Sequence, residues 1–99
     1  MYDRFIGKTV AVRGIGSGVN VGRCVAVKDT AVLFEKGSFF CSSWTYQAPS
    51  HGAFHSLANG EITNGTITLV ENETIIIDVA QIVLCNSGLP DKLQRLAKK

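Results

Sequence analysis

Ninety-nine residues, 45% of them hydrophobic and only two of them proline, suffice for one folded domain with a modest core; they exclude a disordered tail and leave little room for a large catalytic cleft. The net charge of +2 is too small to name a partner, but its distribution is uneven. From Met1 to Lys28, Arg4, Lys8, Arg13, Arg23 and Lys28 stand against Asp3 alone, no formal charge falls between Gly37 and Gly60, and Glu61, Glu71, Glu73, Asp78 and Asp91 then follow without a Lys or Arg among them.

In "KTVAVRG", Val10 and Val12 alternate, and "GVNVGRCVAVKD" places Val19, Val21, Val25 and Val27 at period two, so both segments read as strands. Between them, "GIGSG" supplies three glycines that tolerate positive φ and suit a hairpin. Arg23 shares the parity of Val21 and Val25. Either Gly22 forms a bulge that re-aims it, or a guanidinium lies on an apolar face and needs an anion. A third strand, broken near Gly37, is expected in "TAVLFEKGSFFCSSW". The spacing of Phe54, Leu57 and Ala58 before Gly60 predicts one short helix. "GTITLVENETIIIDVAQIVLC" supplies two further strands with a turn at Glu71 to Glu73, and Pro90 opens a terminal helix over about residues 88–99, with Leu89, Leu93 and Leu96 on one stripe. The expected fold is a single, mainly all-β domain over residues 1–99: a small meandering barrel or sandwich of about five strands, with one helical insertion and a C-terminal helix.

Three cysteines, widely spaced, and no apolar run after basic residues point to a reducing, cytoplasmic setting, and no stretch is long enough to span a membrane. The glycine segment is not a dinucleotide fingerprint, because Val19 stands where the third glycine belongs, and it is not a P-loop, because no Gly-Lys-Ser/Thr follows. It still offers backbone N–H groups between Arg13 and Arg23, with Ser17 and Asn20 as neutral partners for an anion. His51 and His55 have a zinc-compatible spacing, but Pro49 and Gly52 oppose a helix spanning both, so no metal is expected. No nucleophile motif occurs, and no enzymatic activity or cofactor is expected.

"SSWTYQAPSHGAFH" carries the only tryptophan, one of two tyrosines and both histidines, with no charge. In an extended chain Trp44 and Tyr46 point to one side as a stacking platform, while Ser43, Thr45 and Gln47 provide neutral donors and acceptors. The competing reading is that Trp44 caps the core and Tyr46 packs at a subunit interface.

"VAVRGIGSGVNVG", "SSWTYQAP", "SLANGEIT" and "DVAQIVLCN", spread over residues 9 to 86, resemble a group of small uncharacterised phage proteins, although Gln81 stands where that group often has an acid. By a weaker analogy, phage "sponge" proteins of this size are oligomers that trap nucleotide second messengers of bacterial immunity. That analogy implies a non-enzymatic homo-oligomer in the infected bacterial host, binding a cyclic dinucleotide or a cyclic ADP-ribose type of ligand. Trp44 and Tyr46 would stack on bases, Arg13 and Arg23 would meet phosphate, and Ser43, Thr45 and Gln47 would read edges, with His51 and His55 beside them. The alternatives are a β-barrel that binds single-stranded nucleic acid and a protein-interaction module.

Overall fold

The computed structural model describes residues 2–46 and 52–97. A 3-10 turn (Tyr2–Phe5) precedes strands β1 (Thr9–Gly14), β2 (Val19–Lys28), β3 (Ala31–Phe34) and β4 (Ser38–Tyr46); helix α1 (Ala53–Ala58), strands β5 (Ile62–Val70), β6 (Thr74–Ile76) and β7 (Val79–Leu84), and helix α2 (Leu89–Ala97) follow. The fold is mainly β, as the alternating aliphatics predict. Seven strands form where about five are expected, for two local reasons. Gly37, at φ 93°, breaks the third expected strand into β3 and β4, and the Ile77–Asp78 step separates β6 from β7.

All pairings are antiparallel, in the order β5-β4-β2-β1-β7, with β3 joining β2 to β6. The sheet is open rather than closed into a barrel, since β5 and β7 each have one neighbour. The β1–β2 hairpin closes through "GIGSG": Arg13 opposes Val19, and the Gly14 N–H donates to the Gly18 carbonyl at 2.8 Å. Gly18 needs its φ of 72° there, a conformation that costs a residue with a Cβ.

Register sorts the side chains between two cores. Directly opposed residues share a face, so Leu69, Phe39, Val21, Ala11 and Val83 form one row across the sheet, and Thr68, Phe40, Asn20, Val12 and Ile82 form a row on the other side. The first face is covered by the helices: Leu57 and Ala58 of α1 and Leu89 and Leu93 of α2 are fully buried with Ala11, Val21, Phe39 and Cys41. Each leucine contributes on the order of 1.5–3 kcal/mol by burial. The leucine stripe read from sequence is therefore the docking face of α2.

On the second face β2 carries the chain out of the main sheet, and β3 and β6 fold back over it. Val10, Val12, Cys24, Val32, Phe34 and Ile76 form this second core. Gly22 is the point of closest approach, since a Cβ on it would lie 2.7 Å from Ser38 Cβ and 2.9 Å from Phe34 Cδ1. Arg23 does follow the parity of Val21. Gly22 pairs regularly with Val10, and the irregularity in β2 falls later, between Cys24 and Ala26. Among the described residues, no helix is long and apolar enough to cross a membrane.

Candidate functional site

The uncharged aromatic segment is the second half of β4, and a bulge decides which way it points. Cys41 opposes Ile67, but the next pair is Ser43 with Thr66, so Ser42 is an extra residue. Strict alternation would put Trp44 on the face of Phe40. The extra residue instead transfers it to the face of Cys41, where it packs against the helix-covered core. A second irregularity, between Thr45 and Tyr46, sets Tyr46 opposite the buried Ile62. Both aromatics therefore hold register positions on one face, the side occupied by the helices.

The other side of the same ribbon is left bare. Ser43, Thr45, Asn64 and Thr66 are all exposed and form two opposed pairs, Ser43 with Thr66 and Thr45 with Asn64. With the backbone of Trp44 and Gly65 between them, they line a shallow depression of about 240 Å³. Gly65 is required by this close packing, because a Cβ would lie 2.7 Å from the Ser43 carbonyl oxygen. The Asn64 side-chain oxygen accepts from the Gly65 N–H at 2.8 Å, and the amide N–H₂ of the same exposed side chain is a donor. Hydroxyls, one amide and backbone make up this surface, with no ionised group.

Trp44 is half-buried, and its indole N–H donates to the Ala53 carbonyl at 2.9 Å, tying the first residue of α1 to β4. Tyr46 is 37% exposed. His55 is exposed on α1, edge-on to Phe54 with ring centroids 5.8 Å apart. Gln47 and His51, two further candidates, lie outside the described residues.

The glycine hairpin and the arginines do not join this surface. The Asp78 carboxylate accepts from the Gly16 N–H at 2.6 Å and from the Ser17 hydroxyl at 2.5 Å, and the Ile15 N–H donates to the Asp78 carbonyl at 3.0 Å. The chain's own carboxylate thus fills the backbone donors that an external phosphate would need. The Ser17 hydroxyl, and after it the Gly16 amide, hold the Asp78 carboxyl below the usual range. Asn20 is buried and donates to the Ser17 carbonyl at 3.3 Å, bracing the same loop. Arg13 donates to the Gln81 side-chain oxygen at 3.2 and 3.3 Å. Arg23 forms an exposed pair with Glu35 at 3.8 Å. Phe39, which opposes Val21, comes five residues before Trp44, and Arg23 is two residues further from it along β2. At about 3.3 Å per residue, Arg23 is on the order of 20 Å from Trp44.

Cysteine chemistry is also withdrawn. Burial pushes the Cys41 thiol up to about 12, and burial followed by the nearby Cys41 does the same for Cys85; burial raises Cys24 as well. Among the described residues, no cluster of His, Cys, Asp or Glu has the makings of a metal site.

No protein-family model, curated protein or solved structure matches the chain.

Sequence reasoning missed Asn64, Gly65 and Thr66, and it missed Asp78. "ITNGTITLV" is as free of charge as the aromatic segment, and that shared absence was the available signal for pairing the two. Asp78 carried no such mark.

Proposed function

We propose that the chain is a non-enzymatic binding module that takes the base and sugar end of a nucleotide-type ligand on the β4–β5 ribbon. The observation that carries this reading is the bare depression formed by Ser43, Thr45, Asn64 and Thr66. Neutral hydroxyl and amide groups match base edges and ribose hydroxyls, which also both donate and accept without net charge. Burial raises the Cys41 and Cys85 thiols, which disfavours cysteine as a nucleophile, since the thiolate is the reactive form.

In its sharper form the ligand is a nucleotide second messenger such as a cyclic dinucleotide, sequestered to blunt a bacterial anti-phage defence, by analogy with phage sponge proteins. Phosphate then remains solvated, because Arg13 and Arg23 are engaged elsewhere. Titration calorimetry against cyclic dinucleotides, cyclic ADP-ribose isomers and uncharged nucleosides tests the proposal. Heat from at least one of them at micromolar protein, abolished by Thr66→Val together with Ser43→Ala, is the expected result. Silence across all three classes would sink it. Affinity should change little between 50 and 200 mM salt, whereas binding to single-stranded nucleic acid would fall steeply over that range.

A further inference from the structure

The chain contains two Asn-Gly dipeptides, Asn59–Gly60 and Asn64–Gly65, and the fold treats them differently. A glycine after asparagine has no side chain to shield its peptide nitrogen from the asparagine amide carbon, so both share one latent chemistry. What separates them is where each glycine N–H is spent. Asn59 caps the C-terminus of α1, and the Gly60 N–H donates to the Leu57 carbonyl at 3.0 Å, bound into the last turn of the helix. The Gly65 N–H donates instead to the side-chain oxygen of Asn64 itself, at 2.8 Å. With a C=O bond of about 1.23 Å, that contact keeps Asn64 Cγ within about 4 Å of the Gly65 nitrogen, approaching the separation from which bound groups react. Asn64 is exposed, so water reaches the amide. The ladder is interrupted at this point as well: Thr45 opposes Asn64 but Tyr46 opposes Ile62, which leaves Thr63 as an extra residue directly before the pair. Close packing also holds the glycine in place, because a Cβ on Gly65 would lie 2.7 Å from the Ser43 carbonyl oxygen.

We infer that Asn64–Gly65 is a self-modification site, at which the β4–β5 ribbon converts its own neutral amide into a carboxylate. The Gly65 nitrogen gives its proton to hydroxide and bonds to Asn64 Cγ; the Cγ–Nδ2 bond breaks, and Nδ2 takes a proton from water and leaves as ammonia. A five-membered imide remains. Water then opens one of its two C–N bonds: cleavage at Cγ gives aspartate, and cleavage at the backbone carbonyl gives isoaspartate, whose main chain runs through the former side chain and is one carbon longer. One water enters to open the ring for each ammonia lost. Either product replaces an amide donor with a negative charge in a depression whose other side chains are hydroxyls. Isoaspartate in addition disturbs the pairing of Gly65 with Trp44 and of Thr66 with Ser43. The surface proposed above as the ligand site therefore ages, and its aged form repels a ligand that carries phosphate. That consequence rests on the proposed function; the modification itself does not.

Peptide mapping by mass spectrometry, on the full chain held folded at pH 8 for days, tests the modification. Cleavage after Glu61 puts the two asparagines on separate peptides. The peptide carrying Asn64 should gain the mass difference between an amide and an acid about tenfold faster than the one carrying Asn59. In concentrated urea, where no hydrogen bond distinguishes the two, the rates should come together. Asn64→Gln, whose attack would have to close a six-membered ring, should stay intact. An Asn64 that survives in the folded chain, or that converts no faster than Asn59, overturns the inference, and so does a rate ratio that persists after unfolding, since local sequence would then account for it. Asn64→Asp keeps an oxygen for the Gly65 N–H, so it should melt close to the wild type and bind the nucleotides of the panel about tenfold more weakly. Equal binding overturns the consequence for the ligand. If Asn64 converts as described and fresh wild-type protein is silent across the panel, the proposed function fails and the modification stands.

Discussion

Replacing Trp44 with alanine separates a structural from a ligand-stacking indole. Complete burial of an aromatic makes its truncation cost about 3–5 kcal/mol; Trp44 is half-buried, which brings the packing share to roughly 2 kcal/mol. Its N–H bond to the Ala53 carbonyl adds about 1 kcal/mol, the ordinary net worth of a neutral hydrogen bond. The sum of about 3 kcal/mol should lower the melting temperature of a 99-residue chain by on the order of 15 °C. Trp44→Phe keeps much of the packing and loses the bond, so about a third of that drop is expected. Thermal melts followed by circular dichroism measure both, and titration of the folded fraction of each variant with whichever nucleotide the panel identifies measures binding separately. A Trp44→Ala protein melting within about 3 °C of the parent would refute the structural role, because neither the packing nor the bond could then carry the assigned free energy.

Three further outcomes follow from the packing and the hairpin. Asp78→Asn should lower the melting temperature at neutral pH. Because the folded-state pKa of Asp78 is depressed, its contribution is present above the unfolded value near 4 and is lost as pH falls through the lower folded value, so wild type and variant should converge on acidification; a gap that stays constant down to pH 2 would contradict the link. Gly22→Ala, which drives a Cβ into Ser38 and Phe34, should cost about 1–3 kcal/mol in urea denaturation, and a neutral result would mean that β3 gives way freely. In the native state all three cysteines should label slowly with a thiol reagent at pH 7.5 and rapidly after unfolding; one fast native thiol would contradict the raised values.

Periodicity made much of the fold legible. The period of two along β1 and β2, the glycine hairpin between them and the leucine stripe of α2 all follow from side-chain geometry that a sequence displays directly. What stayed hidden was register. The extra residue at Ser42 leaves no compositional trace, yet it moves Trp44 from one face of the sheet to the other. The two aromatics do hold one face, as their spacing suggests, but that face belongs to α1 and the core rather than to solvent. Asp78 was equally opaque, since a single acid in a run of acids gives no sign that it will fold back onto a loop more than sixty positions away. Arg13 and Arg23 stood near the same glycines in sequence and parted in space, because β2 carries one of them along its length to Glu35.

β2 runs through ten residues and serves both cores, with Val21 in the helix-covered one and Cys24 in the one under β3 and β6. A strand shared in this way ties the fates of the two halves together. Neither can fray to completion while the other holds, because each needs the same stretch of backbone straight, and so heat or denaturant should melt the chain in a single step. Damage done beneath α2 will loosen β3, and a poor fit at Phe34 will be felt under the helices. The bare side of the β4–β5 ribbon faces neither core, so its exposed Ser and Thr positions can be exchanged for other polar side chains while the body of the protein stays intact.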